Sequence, residues 1–115
     1  LDRAAQRVHS TATLVALAPL YAQVGAADVG ESLLLTAVVQ EPGSLDVLLA
    51  LGDFYVGQGN TDAAWDYYQQ LLTLSPGLPI GYLRLSNLAN DLGDRTQADL
   101  YAALVQELGL AGTSQ

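Results

Sequence analysis

Residues 48–76 read LLALGDFYVGQGNTDAAWDYYQQLLTLSP and carry the clearest pattern in the chain. Apolar side chains recur here at helical spacing in two groups, and each group lies on one face of a helix. The two groups are Leu48, Leu51 and Tyr55, then Ala64, Tyr68 and Leu71. Gly59 supplies the positive φ that a helix C-terminus often needs. Pro76 ends the second helix because proline disfavours helical geometry in the residue before it.

The same pattern recurs at an interval of 34 residues. Pro42 and Pro76 are 34 residues apart, and several columns keep one residue type or one character at this spacing. These columns include Gly25, Gly59 and Gly93; Leu17, Leu51 and Leu85; and the small residues Ala18, Gly52 and Ser86. Self-similarity at a fixed period is the signature of a repeat architecture, in which each unit buries its apolar face against its neighbours.

The interval divides the chain into repeat units with short flanking segments. These are residues 1–10, an N-terminal extension or the tail of a preceding helix; the units 11–44, 45–78 and 79–112; and a tail, 113–115. In the third unit, Asp94 and Gln97 have the spacing of a capping box before the final helix.

Single residues refine these helices. Gly52 is expected to let another backbone approach the first helix of the middle unit. Asn60 or Thr61 is expected to cap a second helix that begins near Asp62. Pro19 lies inside the first helix of the first unit, where the loss of a backbone donor predicts a bend or a late helix start.

The middle unit resembles the tetratricopeptide repeat (TPR) family. The residues that carry the resemblance are Leu48, Leu51, Gly52, Tyr55, Ala64, Tyr68 and Pro76, with Leu for the usual Trp and Tyr for the usual Phe. The third unit departs from the pattern, since Ala89, Ala102 and Leu110 replace the expected Tyr, Phe and Pro. The resemblance implies an all-α, right-handed α-solenoid of three helix-turn-helix repeats. It also implies a concave groove, lined by the first helix of each pair, that binds peptides or helices of other proteins.

Charge and composition exclude several classes of function. Among 115 residues there are 4 Arg and no Lys against 12 Asp plus Glu, for a formal charge of −8. Nucleic acids and anionic membranes are therefore poor partners, because binding them needs clustered cations. No segment approaches the roughly 20 apolar residues of a membrane-spanning helix. The compartment is not determined, although the cytoplasm is favoured over the periplasm.

The sequence offers no set of residues suited to catalysis. It contains no Cys and a single His, which leaves no thiol nucleophile and no Cys-ligated or multi-histidine metal site. Carboxylate pairs such as Asp62 with Asp66 come without a metal-ligand motif or a phosphate-binding glycine loop. We therefore expect a non-enzymatic protein with no cofactor and no metal.

Repeat phase places a set of candidate binding residues in the groove. They offer apolar pockets, amides for hydrogen bonds to a peptide backbone, and carboxylates that favour a cationic group in the ligand. The candidates are Val15, Leu49, Asp53, Val56, Ile80, Leu83, Arg84, Asn87, Asn90 and Asp91. The expected partner is a protein segment with apolar and basic residues. Alternatively, these side chains only solvate one face or pack against a neighbouring repeat.

One subfamily of the TPR family binds the acidic tails of heat-shock chaperones through a clamp of five residues. Arg84 is the one residue of this chain that agrees with that clamp. The positions of the clamp hold Val15, Pro19, Ala50, Ile80 and Arg84 here. A lone arginine cannot replace the three cations of that clamp. We therefore expect Arg84 to pair with a nearby carboxylate.

The last helix predicts a second kind of interaction surface. Leu100, Leu104 and Leu108 have no following helix in the sequence to cover them, and only 14% of the residues are charged, against about 25% in an average domain. Either further repeats follow beyond this sequence, or another copy of the chain packs on the helix. In the second case the alternative function is a self-assembling scaffold that oligomerises through its uncapped repeat ends.

Two other features have both a structural and a functional interpretation. Trp65 is expected to pack between adjacent second helices, with the anchor of an interface as the alternative. The polar segment with Arg3, Arg7 and His9 is expected to be a solvated helical turn, with a ligand-binding role as the alternative.

Overall fold

The computed structural model describes residues 10–113, and for residues 110–113 it describes the backbone alone. The helices, in chain order, are α1 (Thr11–Gln23), α2 (Ala27–Gln40), α3 (Leu45–Gly57), α4 (Thr61–Leu74), α5 (Pro79–Asp91) and α6 (Arg95–Thr113). No strand occurs among residues 10–113, and the predicted all-α class is confirmed. The interpretation of Arg3, Arg7 and His9 falls outside the described residues and stays a prediction.

Consecutive helices form pairs that stack into an array. The closest packing is between α1 and α2, between α3 and α4, and between α5 and α6. The pairs join through α2 on α3 and α4 on α5, and α1 also touches α3. The array measures 50 × 34 × 19 Å along its principal axes. The first helix of each pair therefore follows the first helix of the previous pair along one side of the molecule.

The turn inside each helix pair has the same backbone geometry. The φ angles of Gly25, Gly59 and Gly93 are 85°, 78° and 84°, in the left-handed region that favours glycine. After each glycine, a backbone N–H donates to the carbonyl five residues earlier. The pairs are Ala26 to Tyr21 (2.8 Å), Asn60 to Tyr55 (2.9 Å) and Asp94 to Ala89 (2.8 Å). These bonds satisfy carbonyls at the helix end as in the Schellman motif, so the 34-residue interval of the sequence recurs in the backbone.

Side chains cap the starts of several helices. Ser10, Ser44, Asn60 and Asp94 each accept a hydrogen bond from the backbone N–H three residues later, at 3.1 to 3.3 Å. Asn60 is therefore the cap of α4, and the predicted capping role of Asp94 is confirmed. α4 begins at Thr61, one residue before the expected start, and α6 continues to Thr113 because Leu110 stands where a proline would stop it.

The predicted late helix start at Pro19 is wrong. α1 runs without interruption from Thr11 to Gln23. The Ser10 cap begins the helix, and the buried side chains of Leu14 and Ala18 hold it against the core before the proline. Pro19 itself is exposed and removes one N–H donor, the partner that the Val15 carbonyl would have had. The bend stays a prediction.

The core follows the apolar columns of the sequence. The largest side chains with less than 2% exposure are Tyr68, Leu34, Leu48, Leu51, Leu71, Leu85, Leu88 and Val47. Burying each such aliphatic side chain contributes about 1.5 to 3 kcal/mol. Gly52 does allow a close approach, but by the ring of Tyr68 rather than by another backbone, since a Cβ at Gly52 would overlap that ring.

Candidate functional site

One carboxylate joins three helices on the side formed by α1, α3 and α5. Asp53 of α3 accepts a hydrogen bond from the Tyr68 hydroxyl of α4 at 2.5 Å. It also accepts two from Arg84 of α5, from Nε at 2.8 Å and from Nη2 at 3.3 Å. The expectation that Arg84 pairs with a nearby carboxylate is confirmed. The cationic group that Asp53 attracts is the chain's own arginine.

Two members of this network, Tyr68 and Arg84, keep their protons around neutral pH. Burial, together with the hydrogen bond to Asp53, raises the pKa of Tyr68 well above its ordinary value. The hydrogen bond to Asp53 raises the pKa of Arg84, although partial burial opposes it. Tyr68 therefore acts as a hydrogen-bond donor and Arg84 stays charged. The ion pair is partly exposed, 32% for Arg84 and 42% for Asp53, so it contributes about 0 to 1 kcal/mol to folding.

A first cleft, the N-terminal cleft, lies between α1 and α3 and has a volume of about 580 Å³. Val15 and Leu49 give it apolar walls, and both side chains are half-buried. Glu41 and Asp46 bring exposed carboxylates to its edge, and Asp53 lines it as well. The cleft can therefore accept an aliphatic side chain beside a basic one.

A second cleft, the C-terminal cleft, lies between α3 and α5 and has a volume of about 280 Å³. Val56 and the buried Leu88 line it with apolar surface. Asn87 and Asp91 are exposed and lie one and two turns after Arg84 on α5. The Asp53–Arg84 ion pair lines this cleft too, so Asp53 belongs to both clefts.

The structure brings most of the sequence-predicted groove residues together. Val15, Leu49 and Asp53 line the N-terminal cleft, and Asp53, Val56, Arg84, Asn87 and Asp91 line the C-terminal cleft. Three candidates, Ile80, Leu83 and Asn90, lie outside both clefts. Leu83 and Asn90 directly precede cleft residues on α5, and one residue along a helix turns the side chain by about 100°.

Tyr68 is the groove residue that repeat phase missed, because phase assigned it to the core. Its ring is buried, with 1% exposure, but its hydroxyl reaches the C-terminal cleft. The available signal was tyrosine at a position where the resemblance expects phenylalanine. A buried phenol usually needs a hydrogen-bond partner, and Asp53 provides it.

The predicted self-association residues lie along α6. Leu100 is 59% exposed, whereas Leu104 and Leu108 are half-buried. Trp65 of α4 lies against Tyr101 of α6, with ring centroids 6.1 Å apart and an angle of 69° between the rings. The expected packing of Trp65 between second helices is therefore confirmed.

The described residues offer neither a metal site nor a membrane-spanning helix. Within residues 10–113 there is no group of three or more His, Cys, Asp or Glu side chains able to hold a metal ion. In the same part of the chain, no helix has both the length and the apolar character needed to cross a membrane.

Comparison with known proteins gives a structural likeness. No protein-family model matches the chain, and no curated protein matches it. A crystal structure of MamA superposes with a TM-score of 0.80 over 92% of this chain, at 19% sequence identity. The chain shares its fold with MamA. A second structure, MamA MSR-1 C2, has a TM-score of 0.76 at 21% identity, and a MamA mutant has 0.71 at 22%, each over 95% of this chain.

The matched MamA chains are longer than this one. The aligned region covers 62% of the first MamA chain and 63% of each of the other two. The chain therefore spans less than two thirds of the proteins that it resembles. At this level of identity the likeness establishes the helical fold alone.

Proposed function

We propose that this chain is a non-catalytic protein-interaction module of the TPR type, built from the units 11–44, 45–78 and 79–112. It binds a peptide or helix of a partner protein along α1, α3 and α5. The observation that carries this proposal is the pair of neighbouring clefts that meet at Asp53. The fold shared with MamA and the recurring turn geometry support the repeat assignment.

The lining of the clefts favours a partner segment with both apolar and basic residues. Val15 and Leu49 present apolar surface in the N-terminal cleft. Asp46 and Asp91 carry carboxylates at the two ends of the groove. Arg84 is the sole cationic residue among those that line the two clefts, and Asp53 already neutralises it. An acidic partner segment would meet uncompensated like charges.

A random peptide library displayed against the purified chain tests this proposal. Selected peptides are expected to combine Lys or Arg with aliphatic residues. Leu49→Asp places a charge on the apolar wall and should weaken binding of a selected peptide by about tenfold or more. Leu35→Asp is the matched control, because Leu35 is exposed on α2 and lies outside both clefts. Equal binding by both variants would contradict groove binding.

The second candidate function is self-association through α6. The exposed Leu100 favours it, together with Leu104 and Leu108 at one-turn intervals. Sedimentation equilibrium over a concentration series should then detect an oligomer that Leu100→Glu dissolves. Leu74→Glu, at a similarly exposed leucine on α4, should leave the oligomer intact. A monomer at all concentrations would contradict this second function and leave the groove proposal unaffected.

A further inference from the structure

The junction between α2 and α4 is filled by a tyrosine. The Tyr55 side chain is 8% exposed and its hydroxyl donates a hydrogen bond to Glu31 Oε2 at 2.5 Å. Its ring stacks on Tyr67 with a centroid separation of 5.8 Å and an angle of 4°. A phenol ring therefore packs at the junction between α2 and α4, and a carboxylate accepts the hydrogen bond of its hydroxyl.

The next junction, between α4 and α6, has different residues at the positions that correspond by the 34-residue interval. At the interval of 34 residues, Ala89 corresponds to Tyr55, Trp65 to Glu31, and Tyr101 to Tyr67; these correspondences follow from the sequence. The Trp65 indole contacts Tyr101, so the aromatic contact between the pairs is kept. The phenol ring itself has no counterpart, because alanine ends at Cβ.

A cleft of about 320 Å³ lies beside Ala89 at this junction. We name it the Trp65 cleft; it is lined by Trp65, Ala89 and Leu92, with Thr61, Asp62 and Asp94 among its polar residues. The Leu92 side chain is 55% exposed, so the edge of the Trp65 cleft presents apolar surface to solvent. No cationic residue is among those that line it.

We propose that the Trp65 cleft binds the side chain of a tyrosine that a partner protein presents, flanked by basic residues. The partner ring packs beside Ala89, the residue that stands where the preceding junction has Tyr55. Trp65 and Leu92 supply the apolar contacts. Asp62, one turn before Trp65 on α4, accepts a hydrogen bond from the partner's hydroxyl, as Glu31 does from Tyr55 at the preceding junction. The exposed carboxylates of Asp62 and Asp94, in a chain of formal charge −8, favour basic residues on either side of that tyrosine. This site is separate from the groove and does not depend on it.

The first experiment uses 4-methylphenol, which is the tyrosine side chain without its backbone. Trp65 is the one tryptophan of the chain, so its fluorescence and its indole N–H resonance report on this cleft. We expect a saturable change in both signals, with half-saturation on the order of 1 mM for so small a ligand. Toluene, which lacks the hydroxyl, should bind several times more weakly. The absence of a saturable change would overturn the proposal.

Matched variants separate the Trp65 cleft from binding elsewhere. Leu92→Asn should raise the half-saturation concentration about fivefold, since apolar contact is lost. Val24→Asn changes the corresponding exposed residue of the first unit and should have no effect. Asp62→Asn should reduce the preference for 4-methylphenol over toluene, whereas Asp28→Asn, its counterpart on α2, should not. Equal behaviour of Leu92→Asn and Val24→Asn would overturn the assignment to this cleft.

Binding of short peptides tests whether the cleft recognises a tyrosine flanked by basic residues. The tripeptide amide Arg-Tyr-Arg, acetylated at its N-terminus, should shift the Trp65 resonance at lower concentration than Glu-Tyr-Glu. Replacing its tyrosine by alanine should abolish the shift. If 4-methylphenol binds and the basic peptide does not, the cleft accepts free phenols only and the partner proposal is wrong. Circular dichroism of each variant verifies that the helices are retained.

Discussion

The second and third helix pairs have the same backbone turns, but they are packed with different side chains. In α3 and α4, Tyr55 and Tyr68 are both buried and each hydroxyl donates to a carboxylate. The corresponding residues of α5 and α6, Ala89 and Ala102, reach no further than Cβ. Gly52 makes room for the Tyr68 ring, whereas Ser86 at the corresponding site donates to the Ala98 carbonyl at 2.8 Å.

This comparison shows that the repeat period constrains the backbone more strongly than it constrains the contacts between units. In the second helix pair, Tyr55 and Tyr68 fill the space between helices, and their hydroxyls have hydrogen-bond acceptors. Where alanines replace them, surface that could contact another molecule stays open, as at the Trp65 cleft. Differences between units of one period are therefore the places to look for binding.

Removal of the Tyr55 ring should have the largest effect on stability. Tyr55→Ala leaves a cavity at a buried site and removes the donor for Glu31, so the free energy of unfolding should fall by about 3 to 5 kcal/mol. Urea denaturation followed by circular dichroism measures the loss. Tyr55→Phe, which keeps the ring, should cost about 1 kcal/mol. Equal losses for the two variants would mean that the hydroxyl, not the ring, stabilises this junction.

A methyl group at Gly52 should have the next largest effect. Gly52→Ala forces the buried Tyr68 ring to move, because a Cβ would overlap its atoms, and such overpacking costs about 1 to 3 kcal/mol. In a chain that already carries Tyr68→Ala, the added cost of Gly52→Ala should be smaller, since the ring that it would overlap is gone. Chemical denaturation of the single and double variants measures the coupling between the two sites. Strict additivity of the two losses would contradict the packing described here.

Alkaline pH should destabilise the protein through the tyrosines of the second pair. Burial and hydrogen bonds to carboxylates raise the folded-state pKa of both Tyr55 and Tyr68 above the ordinary value of 10.0. Their contribution is therefore fully present below pH 10 and is lost as pH rises above it, because the unfolded chain loses these protons first. Each tyrosine adds a slope of up to about 1.4 kcal/mol per pH unit.

Tyr68→Phe is the variant that isolates one of these groups. Its free energy of unfolding, measured from neutral pH to above pH 10, should fall less steeply than that of the unchanged chain. Tyr21→Phe is the control, because Tyr21 is an exposed tyrosine in the first pair and should leave the slope unchanged. A slope in Tyr68→Phe identical to that of the unchanged chain would show that Tyr68 does not contribute.

The Asp53–Arg84 ion pair, which joins the second helix pair to the third, should have the smallest effect on stability. Arg84→Gln removes a partly exposed partner of Asp53, so the free energy of unfolding should change by about 0 to 1 kcal/mol. High salt should reduce even that difference, because it screens exposed charges. Denaturation at low and high salt measures this change in the free energy of unfolding. Arg95→Gln is the control for net charge. A loss well above this range would mean that Arg84 holds the two pairs together.

Local features of the fold were predictable from the sequence, and contacts of side chains across helices were less so. The glycine turns, the Asp94 cap and the end of α4 depend on residues within one or two turns of each other, so a linear pattern suffices to identify them. The uninterrupted α1 was not predicted, because the cost of Pro19 in a helix is outweighed by burial of Leu14 and Ala18 against the rest of the core. Repeat phase brought most groove candidates to the right face, but it could not tell which of them border a cleft.

The order of helices and turns, the 34-residue interval and the acidic character of the chain are all contained in the sequence, since they follow from local backbone preferences and from composition. The meeting of Tyr68, Asp53 and Arg84 is a property of the tertiary structure, because these side chains belong to three different helices. So are the two groove clefts and the Trp65 cleft, whose volumes depend on how far apart packed helices lie and on which side chains fill the space between them.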